Sequence, residues 1–485
     1  MKLDFFKKLL LGIFALIVIV FLSLVMNFFE PPVGQAIVVF FGLAVLLLPL
    51  FLKKPEVGLA LMGFFLPFER IPSVEIAGAS VKINHVLALV LLVSFLISKL
   101  AQKKLIIPRD PVRTIIILFL FTLTLSMSIA PNITRSVQVF AFLVLMFLIY
   151  LTVTLIAQDK KAVIWAVSGI LWGAVAASLV GFWQFFGDMA GLPNTITLLK
   201  EGYDKTTFGF ARVQGLSAEP LYFSNYIFIP LFVSIILVIR GKVGVLFPKF
   251  LTVPLVCALL INLVLAIARG AYLAAGVSFI LLIITQIKTL LKARIIVPTL
   301  AAIFVVLIGS YIALMKSEPR ALDEFISHVR VEDREEGESV VSRVNASKQA
   351  QEIFEDNVIF GTGLGNFGPI VQGNPYEKPE EGWFIVNNEY LEILAENGII
   401  GFTAFVALLA VVFIRALVAY FKARDALLKA LVLGLIFAFI AILAQYATFS
   451  TLYIIHFWFL LGLMSAVSTL ILNNQERGVK SEKSI

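Results

Sequence analysis

The stretch GIIGFTAFVALLAVVFIRALVAY, residues 398–420, contains a single charged residue, Arg415. At about 1.5 Å per helical residue, this run is long enough to cross the hydrocarbon core of a bilayer, which is roughly 30 Å thick. Similar apolar runs recur from one end of the chain to the other. They predict about 12–14 transmembrane helices, near residues 9–28, 36–52, 57–68, 84–100, 114–130, 137–157, 162–183, 219–239, 251–267, 271–287, 295–314, 398–420, 427–447 and 452–472.

The composition excludes a water-soluble globular protein. Hydrophobic residues make up 60% of the chain and charged residues 14%, and the mean hydropathy is +0.99. Such a chain has too little polar surface to cover a hydrophobic core in water. The sequence therefore predicts an all-α, polytopic integral membrane protein. Its single cysteine, Cys257, rules out an intramolecular disulfide and a structural metal site built on thiolates.

The positive charges indicate how the chain is oriented. The net charge is +8, but the lysines and arginines lie mostly in short loops between apolar runs, so we expect no nucleic-acid partner. Short basic loops are typical of the cytoplasmic side. With a cytoplasmic N-terminus, the following basic segments all lie on that side, as does the C-terminal tail: 53–54, 99–113, 160–161, 240–249, 288–294 and 415–429.

This orientation leaves three segments outside, near residues 69–83, 184–218 and 316–397. We therefore divide the chain into transmembrane helices one to eleven (1–315), an external loop domain (316–397), the last three helices (398–472) and a cytoplasmic tail (473–485). A loop of about eighty residues usually has structure and function of its own.

Two local patterns qualify this division. Within the loop domain, one helix with an apolar face is expected from the spacing of Val341, Ala346, Ala350, Ile353 and Phe354. The run at 57–68 is short and is ended by prolines, so it fits a broken or re-entrant helix as well as a full span.

A polar motif directly precedes the 398–420 run. It begins with Asn387, Asn388, Glu389 and Tyr390, and on a helix Glu389 shares one face with Glu392 and Glu396. In a structural interpretation, Asn388 caps a short helix and the acids complement its positive end. In a functional interpretation, Asn387 and Glu389 take part in chemistry at the membrane surface.

Two arginines are expected at the same outer surface. Arg269 lies at the tip between two apolar runs, and Arg212 precedes Glu219 and Pro220 at the start of another run. A charge near hydrocarbon is either an interfacial anchor or a functional residue. Two converging arginines can hold a pyrophosphate through forked hydrogen bonds. Glu219 also fits a simple first-turn acid.

Two further features favour structural roles. Gly361, Gly363 and Gly365 lack the spacing of a dinucleotide-binding loop and indicate a tight turn. His456 lies about one turn inside the last apolar run, where we expect a packed polar residue rather than a base.

Four signatures in order on one predicted face resemble the O-antigen ligase and O-antigen polymerase superfamily. They are Arg212 with Gly215, the tip 268–271, the segment 342–367, and Asn388 with Gly398 and Gly401. The resemblance implies a polytopic inner-membrane glycosyltransferase with a periplasmic loop and no metal or nucleotide cofactor. It also implies an undecaprenyl-pyrophosphate-linked glycan as donor, and another glycan, lipid A core or another hydroxyl compound as acceptor. Membrane lipid is a further expected partner.

By this resemblance, Arg212 and Arg269 hold the donor pyrophosphate, and Tyr390 belongs to the same motif as Asn388. Asn387 stands where the ligases have a histidine. Asparagine can orient a hydroxyl group but cannot take its proton near neutral pH. The expected base is therefore Glu219 or Glu389, unless the arginines alone activate the donor. This departure favours a polymerase over a ligase.

Two other classes of function remain. A transporter or flippase would also be polytopic, but polar residues in the middle of spans and related repeats are typical of transporters. A membrane sensor would use the external loop to bind a partner. Because the distinctive polar groups lie at the predicted outer face, we favour an enzyme.

Overall fold

The computed structural model describes residues 31–70, 73–76, 79–103, 109–205, 209–291, 308, 338–377, 379, 382–450 and 452–482. The predicted helix at 9–28 lies outside these residues, as does all of the helix at 295–314 except Ile308. In chain order, the helices are α1 (Pro31–Lys53), α2 (Pro55–Phe64), α3 (Ile83–Ala101), α4 (Pro111–Met127), α5 (Ile133–Ile156), α6 (Lys160–Met189), α7 (Asn194–Thr197), α8 (Pro220–Ile239), α9 (Lys249–Leu265), α10 (Arg269–Leu290), α11 (Glu338–Asp356), α12 (Phe367–Val371), α13 (Glu389–Lys422), α14 (Ala426–Gln445) and α15 (Ile455–Glu482).

The predicted all-α polytopic class is confirmed. Within the described ranges, 8 helices are long and apolar enough to cross a membrane, namely α3, α5, α6, α8, α10, α13, α14 and α15. Shorter apolar helices include α2, α4 and α9. The outer surface of the bundle is apolar as well, with Phe250 76% and Leu273 69% exposed. Such a surface is stable when it faces lipid rather than water.

Glycines bring pairs of helices into close contact. A β-carbon at Gly169 or Gly173 in α6 would overlap the backbone of α2, and one at Gly434 in α14 would lie 2.8 Å from Val233 Cα in α8. Close approach at small residues is a principal source of helix association in membranes. Helix α2 has 10 residues and is roughly 15 Å long, about half of the hydrocarbon thickness. The run at 57–68 therefore forms a helix that is too short to cross the hydrocarbon core by itself, which disfavours the full span.

Two further elements are a short strand hairpin and the helix expected in the external loop. Strands β1 (Ser73–Ile76) and β2 (Ala79–Lys82) form an antiparallel hairpin in which Val74 pairs with Val81, and this hairpin was not predicted. The helix expected in the external loop is present as α11. Its Ala350 packs with Val386 and Ala395 in a small separate core.

Candidate functional site

The segment around Arg212 is held against the turn between α9 and α10. The Val213 N–H donates to Leu265 O at 3.1 Å, and Arg212 Nη2 donates to Ile267 O at 2.9 Å. Ile267 has a φ of 48°, which a β-branched residue rarely adopts, so this turn is strained. Arg269 begins α10 two residues later. The structure thus brings together the two arginines that the sequence singled out.

Glu219 lies near Arg212. It occupies the position preceding α8, and its Oε1 is 4.0 Å from Lys200 Nζ. The guanidinium of Arg212 stacks over the Tyr203 ring at 5.7 Å. Burial lowers the pKa of Arg212, and Arg269 lowers it further while Glu219 opposes the change. Arg212 is therefore within electrostatic range of both other predicted residues.

Arg343, on α11, joins this group from the external loop. Burial lowers the pKa of Arg343, Arg269 adds to the decrease, and Glu219 acts against it. Among the described residues, Lys200, Arg212 and Arg343 thus lie within electrostatic range of Glu219, and Arg269 lies within range of the other two arginines. We call these five residues the cationic cluster. The sequence pattern does not indicate Lys200 as a site residue, and it includes Arg343 only as part of the segment 342–367. Charged residues are common in the external segments, and only the tertiary fold selects these two.

The Asn387 motif adjoins the cationic cluster through a shared turn. The Glu389 N–H donates to Tyr446 O at 2.9 Å, and a side chain at Gly270 would collide with Thr448. The start of α13 and the start of α10 therefore both pack on the turn that follows α14. Asn387 has a φ of 57°, a left-handed conformation that asparagine adopts more readily than most residues.

The two candidate bases differ in accessibility. The Glu219 side chain is 40% exposed, whereas Glu389 is 3% exposed. Both lie within electrostatic range of Tyr222 in α8. Glu219 can therefore meet a substrate without rearrangement. Glu389 would have to be uncovered first.

The other acids of the motif have structural roles. Glu392 Oε2 accepts a hydrogen bond from the Val386 N–H at 3.0 Å. Glu396 accepts from the N–H groups of Gly365 at 2.7 Å and Phe367 at 3.0 Å. Buried carboxylates satisfied by backbone donors hold the external loop onto α13.

The glycine-rich segment forms a tight turn against this same part of α13. Gly361, Gly363 and Gly365 all have positive φ, and the Gly363 N–H donates to Glu396 O at 2.9 Å. The N–H groups of Gly363 and Gly365 are thus used within the protein. The segment is a structural turn, in line with the sequence interpretation.

The remaining motif residues shape the backbone. The Asn388 side chain accepts from the N–H groups of Tyr390 and Leu391, which makes it the cap of α13. The Tyr390 hydroxyl donates to Leu443 O at 2.8 Å. At Gly398 the helix breaks, with φ 60° and ψ −167°, and Gly401 leaves space for the Asn397 side chain.

His456 is a packed polar residue, as the sequence suggested. It is fully buried, its Nε2 lies 2.7 Å from Asn225 Oδ1, and its Nδ1 lies 3.5 Å from Glu69 Oε1. Within the described ranges, no group of three or more His, Cys, Asp or Glu residues is arranged to hold a metal ion.

The comparison with protein families identifies one matching region. Residues 254–406 match the O-antigen ligase family. The match contains Arg269, Arg343, Asn387 and Glu389, whereas Arg212 and Glu219 precede it. No curated protein matches the chain. The match covers about a third of the chain and confirms the predicted resemblance to the O-antigen ligase and polymerase superfamily.

Proposed function

We propose that this protein is a membrane glycosyltransferase that transfers or polymerises a glycan from an undecaprenyl-pyrophosphate donor at the periplasmic face of a bacterial inner membrane. The family match supports a role in glycan transfer. The observation that carries the proposal is the cationic cluster, in which four cations and the single carboxylate of Glu219 lie near one another, next to the Asn387 motif. The acceptor would be another glycan, lipid A core or another hydroxyl compound.

The cationic cluster suits a pyrophosphate because its positive charge exceeds its negative charge. Guanidinium groups bind phosphate oxygens through paired hydrogen bonds, which are stronger than bonds between neutral groups. Burial of Arg212 and Arg343 strengthens these interactions, because electrostatic energies increase as the local dielectric constant falls. The cluster would therefore stabilise the charge that develops on the departing pyrophosphate.

An apolar cavity next to Tyr222 supports a lipid-linked donor. It has a volume of about 220 Å³ and lies between α3, α5, α8 and the segment before α15. Its lining includes Phe142, Met146 and Tyr453, with Lys82 and His85 as its basic members. Because Tyr222 also lies within electrostatic range of Glu219, a lipid in this cavity would enter next to the cationic cluster.

In the proposed reaction, the acceptor hydroxyl oxygen forms a bond to the anomeric carbon of the donor sugar. The bond between that carbon and the phosphate oxygen breaks, and the pyrophosphate departs on the lipid. Asn387 would orient the hydroxyl group, and Glu219 or Glu389 would accept its proton. Glu219 is the stronger candidate because its side chain is the more accessible. We propose that no metal takes part.

We also propose how the chain is oriented in the membrane and how it is divided into segments. The N- and C-termini would lie in the cytoplasm, and residues 316–397 would form a periplasmic loop domain between transmembrane segments 1–315 and 398–472, followed by the tail 473–485. The short basic loops support this arrangement.

Reconstitution tests the function directly. The purified protein in liposomes, supplied with lipid-linked glycan from its host cells, should release undecaprenyl pyrophosphate and form a new glycosidic bond. The leading alternative, a transporter or flippase, predicts movement of the intact donor across the bilayer. Movement of the donor without any new glycosidic bond would overturn the proposed function.

A further inference from the structure

A second open site lies in the external loop, between α11 and the segment that leads into Asn387. The cleft has a volume of about 730 Å³, which is in the range of sites that bind small molecules or short oligomers. Its lining residues are neutral: Val341, Ser342, Asn345, Ala346, Gln349, Val371, Trp383, Phe384, Ile385 and Asn387. It differs from the cationic cluster because no charged side chain is among these lining residues.

The cleft combines exposed apolar surface with amide side chains. Phe384 is 53% exposed and Val341 is 48% exposed, although Val341 was expected on the packed face of α11. Asn345, Gln349 and Asn387 each offer both hydrogen-bond donors and an acceptor. Flat apolar groups next to amides match the two kinds of surface on a sugar ring, its C–H faces and its hydroxyl groups.

The wall of the cleft is fixed by hydrogen bonds. The Phe384 N–H donates to Gln372 Oε1 at 3.1 Å, and the Val386 N–H donates to Glu392 Oε2 at 3.0 Å. The Arg135 guanidinium lies 5.6 Å from the Trp383 ring. A site whose backbone is already held in place loses less entropy when it binds a ligand.

The cleft is continuous with the candidate reaction site. Asn387 lines the cleft and directly precedes the capped start of α13. On the other wall, Ser342 lines the cleft while its neighbour Arg343 belongs to the cationic cluster. Helix α11 thus borders both sites, so a ligand in the cleft would approach a donor held at the arginines.

We propose that this cleft binds the acceptor glycan, one to a few sugar residues from its reacting end. The inference rests on the proposed function, because it assigns the second substrate of that reaction to a site. Among the described lining residues none is charged, so a phosphate has no counter-charge there. A lipid chain would leave the three amides without hydrogen-bond partners, at a cost for each buried group.

Direct binding measurements test this assignment without relying on turnover. The probe is the soluble oligosaccharide released by mild acid from the host's lipid-linked glycan, titrated into the purified full-length protein by calorimetry. The variant Asn345→Ala with Gln349→Ala removes two amides from exposed positions of α11. Its matched control is Gln351→Ala, which changes the same residue type on the same helix outside the cleft.

We expect the double variant to bind the oligosaccharide about tenfold more weakly, the loss expected for roughly two hydrogen bonds. Gln351→Ala should bind as the wild-type protein does. Equal binding by all three proteins, or no binding by the wild-type protein, would overturn the cleft proposal. The reconstituted transfer assay would still decide the proposed function separately.

The intact lipid-linked glycan distinguishes acceptor from donor. If the cleft holds the acceptor, the double variant should keep unchanged affinity at the tighter of the two sites for this compound, where the cationic cluster holds its pyrophosphate. If binding of the donor falls by the same tenfold factor, the cleft holds the donor glycan, and the acceptor assignment is wrong.

Discussion

At the scale of single residues, Glu219 and Glu389 compete for one role. Replacing either with glutamine keeps its shape and removes its basicity. For the true base, turnover should fall on the order of a hundredfold or more, because that is the usual contribution of a general base. Binding of the lipid-linked donor should persist. Initial rates on purified donor measure the effect, with the exposed Glu201→Gln as control. Normal turnover in both single variants and in the double variant would exclude both carboxylates.

Arg343 carries a second prediction at this scale. Arg343→Gln should raise the KM for the lipid-linked donor by roughly tenfold or more, because it removes a charge-assisted hydrogen bond to the pyrophosphate. Lys348→Gln, at an exposed position on the same helix, should leave this KM unchanged. If both variants have the wild-type KM, Arg343 does not belong to the donor site.

The sequence predicted those site residues whose charge next to a transmembrane span is unusual. Arg212, Arg269 and Glu219 border apolar runs, where a charge is costly, and the structure brings them together. Lys200 and Arg343 could not be predicted in this way, because they lie in long segments between apolar runs, where charges are ordinary. Likewise, the hydrogen bonds of Glu392 and Glu396 to loop N–H groups depend on contacts between distant segments.

At the scale of elements, the break at Gly398 connects the external loop to a transmembrane helix. Gly398→Ala should lower the apparent unfolding temperature in detergent by several degrees, because φ is positive there and a β-carbon would overlap Ile359 O. Thermal unfolding followed by fluorescence measures the change. Gly276→Ala, in an open helical position of α10, should be neutral or stabilising. Equal unfolding temperatures for the two variants would contradict the proposed strain.

Elements with strong periodicity or length were predicted well from the sequence. Each predicted span within the described residues is a helix, and α11 has the expected packed Ala350. The β1–β2 hairpin was missed because each strand has only 4 residues, too few for a periodic signal. The extension of α6 to Met189 was missed because its last turn is less apolar than its centre.

At the scale of the whole molecule, the orientation is a prediction from basic loops. With Cys257→Ser as background, Gln351→Cys should react with a membrane-impermeant maleimide in spheroplasts. Arg424→Cys should react only after lysis, because α13 separates it from the external loop by about 50 Å of helix. Both positions are exposed, so accessibility within the protein does not differ. The reverse labelling pattern would invert the orientation and remove the site from the periplasm.

If the arginines hold a donor pyrophosphate for glycan transfer, Arg269→Lys should impair that transfer. Lysine keeps the charge but lacks the planar fork that pairs with phosphate oxygens. Transfer on purified lipid-linked donor should fall at least tenfold at equal protein level, while the control Arg424→Lys should keep wild-type transfer. Wild-type transfer by Arg269→Lys would exclude Arg269 from the pyrophosphate site and leave it as an interfacial anchor.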